Sequence, residues 1–353
     1  MGKTTHTVFT NWISILVYKA LNFGFINLGD YLNSFKTQKK HIKMKSRNHV
    51  FFILLFLFEL NYFLPQSPYV VILGTTQDAG SPQIGCTKKC CSDLFKNPDL
   101  SRNVVSLGIV DSKVNKFWMI ESTPDFIRQS KLLRDISGFS HGELPDGIFI
   151  THAHIGHYTG LMYLGRESVS SEKIPVYTMS RMKGFLMQNG PWNQLINLNN
   201  ISVINMDPDQ SVQLSNDIQI IPFLVPHRDE FSETVGFKIK GPNKSILFIP
   251  DIDKWGKWNK DLALELKTVD AAFIDGTFYD SEEINHRNMD EIPHPFVVET
   301  MELFREEDEK TKSKLHFTHL NHTNPLLDTT SKQYKEVILN GFSVSNFKQI
   351  VNL

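Results

Sequence analysis

From Tyr69 onward, short apolar runs alternate with turn residues. Tyr69 to Leu73, Val104 to Val110, Phe117 to Ile120 and Gly147 to Ile150 read as strands, the second and third as a hairpin pair. Val176 to Met179, Ile201 to Asn205, Ile218 to Val225, Thr234 to Ile239, Ser245 to Ile249, Ala271 to Ile274 and Leu315 to Thr318 continue the series. Helical spacing marks Phe126 to Leu133, Tyr158 to Gly165, Arg181 to Gln188, Leu262 to Leu266, Phe296 to Phe304 and Gln333 to Leu339. Strands in groups with interspersed helices, and no sustained βαβ rhythm, predict two sheets covered by helices on the outside. No repeat or low-complexity linker interrupts residues 69–353, so they are expected to form a single domain.

The preceding residues follow another pattern. Met44-Lys45-Ser46-Arg47-Asn48-His49 is basic, Val50 to Leu60 is apolar except for Glu59, and Pro65, Ser67 and Pro68 follow. Basic, then apolar, then polar is the order of a secretory signal, and the run is short for a membrane span. Residues 1–68 are therefore expected to be a leader, with its signal-like part at 44–68, and the protein to be exported, periplasmic or secreted. It would touch a membrane only if the leader stays uncleaved as an anchor.

Composition adds limits. Hydrophobic residues at 41% and charged residues at 21% are those of a folded chain, which removes disorder as the default. A formal net charge of −1 lacks the basic excess of a nucleic-acid binder, so the expected partner is a small-molecule substrate and not nucleic acid. The oligomeric state is not readable from the sequence.

The densest chemistry lies at Ile150-Thr151-His152-Ala153-His154-Ile155-Gly156-His157, between a strand and a helix. His152 and His154 are two apart, so in an extended segment both leave one face of the backbone and converge on one ion. Neutral imidazole is a common zinc ligand. Three later strands also end in a metal-binding residue: His227 after Ile221 to Pro226, Asp251 after Ile246 to Pro250, and His319 after Leu315 to Thr318. Each alone reads as a cap or surface residue; four such positions in order point to a site built at one edge of a rigid sheet.

His152-x-His154-x-x-His157 followed by His227, Asp251 and His319 resembles the metallo-β-lactamase superfamily. Its fold is a four-layer αββα sandwich with metals at one edge. Within it, Glu121 to Phe126, Thr151 to Leu161, Asp251 to Trp255, Ile274 to Phe278 and Thr318 to Pro325 are similar to the branch of coenzyme PQQ synthesis protein B. The superfamily pattern implies one full site from His152, His154, His227 and bridging Asp251, and a second from His157, Asp251 and His319. The aspartate that normally precedes the last histidine of the cluster is Gly156 here, so one ligand of the second site is absent. Zinc is the expected ion, one or two at this site; iron and manganese suit the same ligands.

Cys86, Cys90 and Cys91 are the three cysteines of the chain, and three thiolates need a fourth ligand to close a tetrahedral zinc. Related phosphodiesterases of the superfamily close a structural zinc with such a cluster and a late histidine, which implies His322 here. One disulfide with a spare thiol is the competing expectation in an exported protein.

The resemblance implies metal-assisted hydrolysis of an ester, phosphoester or lactam by a metal-bound hydroxide, since a divalent ion lowers the pKa of its water from about 15.7 to about 7. Asp251 would orient that water, and His294, after the Asp275-Gly276-Thr277 segment, is the expected proton donor to the leaving group. Glu121 and Asp125 are expected to brace a ligand imidazole. Asp78, after the first strand, is a substitute for the missing carboxylate. Arg228, Asp229 and Glu230 either face substrate or form a solvated run; His141, His286 and His316 have no patterned partner. Two other functions stay open: an iron-dependent oxidative step in coenzyme PQQ synthesis, against which an export signal counts, and a non-catalytic metal-binding protein with a degenerate second site.

Overall fold

The computed structural model describes residues 67–139, 142–285 and 287–353. The expected leader, apart from Ser67 and Pro68, lies outside the described residues, as do His141 and His286. Among the described residues, no helix is long and apolar enough to cross a membrane.

Two seven-stranded sheets carry the fold. The first contains β1 (Tyr69–Gly74), β2 (Ser106–Asp111), β3 (Lys116–Ile120), β4 (Gly147–Phe149), β5 (Ile174–Thr178), β6 (Ile201–Asn205) and β14 (Ile350–Asn352), in the order β14-β1-β2-β3-β4-β5-β6. The second contains β7 (Val212–Gln213), β8 (Gln219–Leu224), β9 (Val235–Lys240), β10 (Ser245–Ile249), β11 (Ala271–Asp275), β12 (Leu315–Thr318) and β13 (Ser343–Val344), in the order β13-β12-β11-β10-β9-β8-β7. In each sheet an antiparallel half joins a parallel half. β3 to β6 are parallel, and so are β10 to β13.

Alternation along the strands makes the layers, because successive side chains leave opposite faces. Val70 and Ile72 of β1 join Ile109, Phe149, Phe237, Phe248 and Phe273 in the core between the sheets. Tyr69, Val71 and Leu73 face outward into the cluster that also holds Phe126 and Leu133 of the helix Phe126–Ser137 and, further along the sheet, Leu186 of the helix Ser180–Gln188. On the other side Leu247, Ile249, Ala272 and Ile274 face Leu262, Val297 and Val337, each from a covering helix. The result is the expected αββα sandwich. Each fully buried Ile or Phe in it contributes roughly 1.5–3 kcal/mol by leaving water.

Three edge strands, β7, β13 and β14, have only two or three residues each, too few to show alternation in sequence. β14 nevertheless closes the first sheet by pairing Val351 with Val70. The helix expected over Tyr158 to Gly165 is instead a helical turn Ile155–Tyr158 followed by a 3-10 helix Thr159–Leu164. The cause is close packing: the Gly160 N–H bonds the Ser122 carbonyl at 2.8 Å, and a Cβ on Gly160 would stand 2.3 Å from the Thr123 carbonyl oxygen.

Parallel strands place their carboxyl ends at one edge. Glu121 follows β3, Thr151 to His154 follow β4, Asp251 follows β10, Asp275 ends β11 and His319 follows β12. β8 runs antiparallel to β9 and β9 to β10, so His227 beyond β8 reaches the same edge.

Candidate metal centre

His152, His154, His227 and Asp251 each bring one ligand atom into a cluster whose members lie within 4.8 Å of one another. The His152 Nε2 and His154 Nδ1 atoms are 2.7 Å apart. Asp251 lies between the arms of the site. Its Oδ2 is 3.4 Å from His152 Nε2 and 3.7 Å from His157 Nε2, and its Oδ1 is 3.4 Å from His227 Nε2. His319 Nε2 is 3.9 Å from the same Oδ2. All six residues expected at the metals therefore meet around one carboxylate.

The loops that carry them are pinned to the sheets. The Ala153 N–H bonds Ser232 Oγ at 2.8 Å, and the Thr151 carbonyl accepts from Val235 N–H at 3.2 Å, which ties the histidine loop to β9. The Asp253 N–H bonds the Pro226 carbonyl at 2.7 Å, joining the His227 and Asp251 loops. Glu121 and His319 hold left-handed backbone, with φ of 76° and 59°. Such strain in buried non-glycine residues costs on the order of 1–3 kcal/mol and persists where surrounding structure imposes it.

The donor set fits a cation, and the sign is in the unmatched atoms. Both ring nitrogens of His157 and of His227, Nε2 of His319 and Oδ1 of Asp251 are buried without a hydrogen-bond partner. Leaving one such group unpaired costs about 1–3 kcal/mol, and here they converge. Burial, then the neighbouring imidazoles, holds His152 and His319 well below the usual histidine range, and burial with the His294 ring beside it pushes His227 down to about 2. Neutral rings are the form that binds metal. Burial would lower His157 too, but the carboxylates of Glu121, Asp78 and Asp251 outweigh it and raise the ring to about 9. Burial raises Asp251 to about 7.

Outer partners orient the rings. Glu121, fully buried, accepts from Thr151 Oγ1 at 2.5 Å, and that hydroxyl contacts His152 Nδ1 at 2.8 Å. Glu121 Oε1 also lies 3.2 Å from His157 Nδ1, although without hydrogen-bond alignment. Asp125 does not brace a ligand ring as expected. It accepts from the Val104 N–H at 2.8 Å and pairs with Arg128, so it anchors the entry to β2 instead. Glu230 takes up that bracing role at His154, with Oε2 2.9 Å from Nε2, while Arg228 Nη2 lies 3.1 Å from the same ring. Asp229 accepts from Thr234 Oγ1 at 2.7 Å.

A second group of Asp251, Asp275, His294 and His319 also lies within 4.8 Å. Asp275, fully buried, accepts from Thr277 Oγ1 at 2.6 Å and from Ile252 N–H at 3.1 Å, and its Oδ2 is 2.8 Å from His294 Nδ1. The Thr277 hydroxyl reaches His319 Nδ1 at 2.7 Å. His294 Nδ1 also lies 3.2 Å from Asp251 Oδ1. Burial opposes charge on His294, but Asp275 and Asp251 outweigh it and hold the ring up to about 9. Asp275 ends a strand whose apolar run hides it, so only its place beside Gly276-Thr277 marks it in the sequence.

Apart from this centre, Cys86, Cys90, Cys91 and His322 form a third group within 4.8 Å. The three thiols are free, with Sγ separations of 4.0 Å for Cys86 to Cys90 and 3.9 Å for Cys90 to Cys91, so the expected alternative of a disulfide is not formed. Burial and the adjacent thiols push Cys90 up to about 12. Burial would raise Cys86 as well, yet the Lys88 backbone and the other two thiols hold it below an ordinary thiol. His316 lies outside all three groups, stacked on Phe273 with ring centroids 4.9 Å apart.

A family profile described as a β-lactamase superfamily domain matches residues 119–319. Coenzyme PQQ synthesis protein B of Xanthomonas euvesicatoria pv. vesicatoria (strain 85-10) is 24% identical over 302 residues, covering 78% of this chain and 97% of that protein. The same-named protein of Pseudomonas savastanoi pv. phaseolicola (strain 1448A / Race 6) is 24% identical over 314 residues with the same coverage. Among solved structures, Zn(2+)-bound PqqB from Methylobacterium extorquens superposes with a TM-score of 0.67 at 18% identity, over 81% of this chain and all of that one. A diphosphatase from the PhnP family gives 0.58 at 19% identity, over 82% and 98%.

Proposed function

This chain belongs to the β-lactamase superfamily, and from that premise we propose that it is a metal-dependent hydrolase acting on a small phosphoester. The observation that carries the reading is the meeting of buried, unpartnered imidazole and carboxylate atoms with the His294–Asp275 pair at one sheet edge. His152, His154, His227 and Asp251 would hold one cation, and His157, Asp251 and His319 would contribute to a second. A divalent ion bound there would lower the pKa of its water to about 7 and act as a Lewis acid for the substrate oxygen.

The chain's own residues do the rest. Glu121, through Thr151, fixes the His152 ring, and Glu230 fixes His154, so the ligand nitrogens face inward before any ion arrives. Asp275 engages His294 at Nδ1, which leaves Nε2 to hand a proton to the departing oxygen. Arg228, half-exposed beside His154 and 3.8 Å from the Glu230 carboxylate, offers at the rim a guanidinium able to engage an anionic phosphoester.

The test is turnover of chromogenic phosphodiester, ester and lactam substrates by the purified chain loaded separately with zinc, manganese and iron. Phosphodiester cleavage that a chelator abolishes and metal restores is expected. A fully loaded protein that turns over none of the three would overturn the proposal and favour a metal-binding protein without catalysis. The likeness to coenzyme PQQ synthesis protein B supports a second reading, an iron-dependent oxidative step. Iron in the purified protein together with oxygen uptake on a tyrosine-derived substrate would favour it.

A further inference from the structure

Gly156 stands where the superfamily pattern places a carboxylate, and the space beside it is filled. A Cβ built on Gly156 would lie 2.0 Å from the Cβ of Asp78, 2.7 Å from its Cα and 2.8 Å from its carbonyl oxygen. Glycine at 156 is thus a steric requirement of Asp78. The two side chains would start from nearly the same point beside the site.

The backbone before Asp78 is fixed against the site. The Leu320 N–H bonds the Thr75 carbonyl at 2.7 Å, and the Gln77 N–H bonds the Leu320 carbonyl at 2.9 Å. Thr76 bridges both Val104 and Leu320. Asp78 is thereby held one residue beyond a segment laced to the neighbour of His319. Its carboxylate accepts from the Gln77 side-chain amide, and its negative charge acts on His157, Asp251 and His294. Meanwhile Nε2 of His157 and Nε2 of His319 have no partner.

We infer that Asp78 has exchanged places with the side chain missing at Gly156 and is the fourth protein ligand of a second cation, with His157, His319 and Asp251. This rests on the reading that the cluster holds cations, and it changes the chemistry of the second position. Three imidazoles and one carboxylate surround the first position. Two imidazoles and two carboxylates surround the second, a more oxygen-rich set that shifts preference toward manganese or iron(II).

The test is ion content, not turnover. Wild-type chain and Asp78→Ala are loaded separately with zinc, manganese and iron(II), and bound ions are counted by elemental mass spectrometry after removal of excess. Alanine keeps the Cβ that packs against Gly156, so the loop retains its filler. Asp78→Ala is expected to bind one ion fewer per chain than wild type, with the largest loss for manganese or iron(II). Equal ion counts in the two proteins would overturn the inference. Should the variant fail to fold, anomalous diffraction from metal-loaded wild-type crystals decides: a second peak with an Asp78 oxygen at about 2.0–2.2 Å supports it, and no such oxygen sinks it. Ion loss in Asp78→Ala and absence of turnover in fully loaded wild type are separate results, so this inference and the hydrolase proposal can fail independently.

Discussion

The imidazole and carboxylate centre and the cysteine group are both able to hold a cation, but they are built differently. The centre sits on the carboxyl ends of strands from two sheets, and its rings are oriented by Glu121, Glu230 and Thr277. The cysteines sit on a loop and a single helical turn, Lys89–Ser92. The Gln83 N–H to Cys91 Sγ contact at 3.4 Å and the Lys88 backbone at Cys86 tie their sulfurs to the loop. Protons must leave both groups, His157 in the centre and above all Cys90 in the cysteine group. Both groups are gathered within 4.8 Å without an ion, but strand ends hold the first and a loop with one helical turn holds the second.

The strongest way to break this contrast is to remove a ligand from the centre. His227→Ala is expected to lower turnover of a phosphodiester by more than about 100-fold, beyond the range that loss of an outer partner alone reaches. Its thermal midpoint should stay near that of wild type, because the strands hold the edge without the ring. A large fall in midpoint with turnover kept would reverse the assignment of roles. Next in size is Asp275→Asn, expected to reduce kcat by about 10–100-fold with KM little changed, since it engages His294. A KM effect without a kcat effect would remove His294 from the proton-transfer role.

The cysteine side sharpens the comparison from its own end. Cys90→Ser is expected to cost one bound zinc and to open residues 83–92 to limited proteolysis, with a smaller loss of turnover than either change above. Chelation should expose the same segment in the wild-type chain. An unchanged zinc count and cleavage pattern would mean that the group holds no ion.

Much of the centre is readable in the sequence because strand ends are readable. His227 and Asp251 each follow an apolar run closed by a proline, His319 directly follows a short strand, and the strand directions bring all three to one edge. What escapes is set by contacts between distant segments. Asp275 looks like the last residue of a buried strand, Glu230 like one charge in a solvated run, and Asp125 like a partner for a metal ligand, yet it bonds the Val104 N–H. The two- and three-residue edge strands escape for another reason: their pairing is supplied by longer neighbours rather than by their own alternation.

His316 gives the smallest effect and the cleanest control for the meaning of an unpartnered imidazole. It lies on β12 three residues before His319, and its Nδ1 is likewise buried without a partner, but it faces Phe273 and belongs to no metal-holding group among the described residues. Burial alone lowers its pKa to about 4. Its ordinary value in the unfolded chain is about 6.5, so between these limits the unfolded state binds the extra proton. Stability contributed by the neutral ring is therefore full above about pH 6.5 and declines as pH falls toward 4. The slope cannot exceed about 1.4 kcal/mol per pH unit for one proton, and partial solvent exposure keeps it lower. Denaturant titrations at pH 7, 6 and 5 should show a shallower decline for His316→Phe than for wild type, with both proteins retaining the same metal content. Equal slopes would mean that burial at this position imposes no proton linkage. A changed metal content would mean that His316 and His319 are not separable, and that the boundary of the centre lies further along the strand.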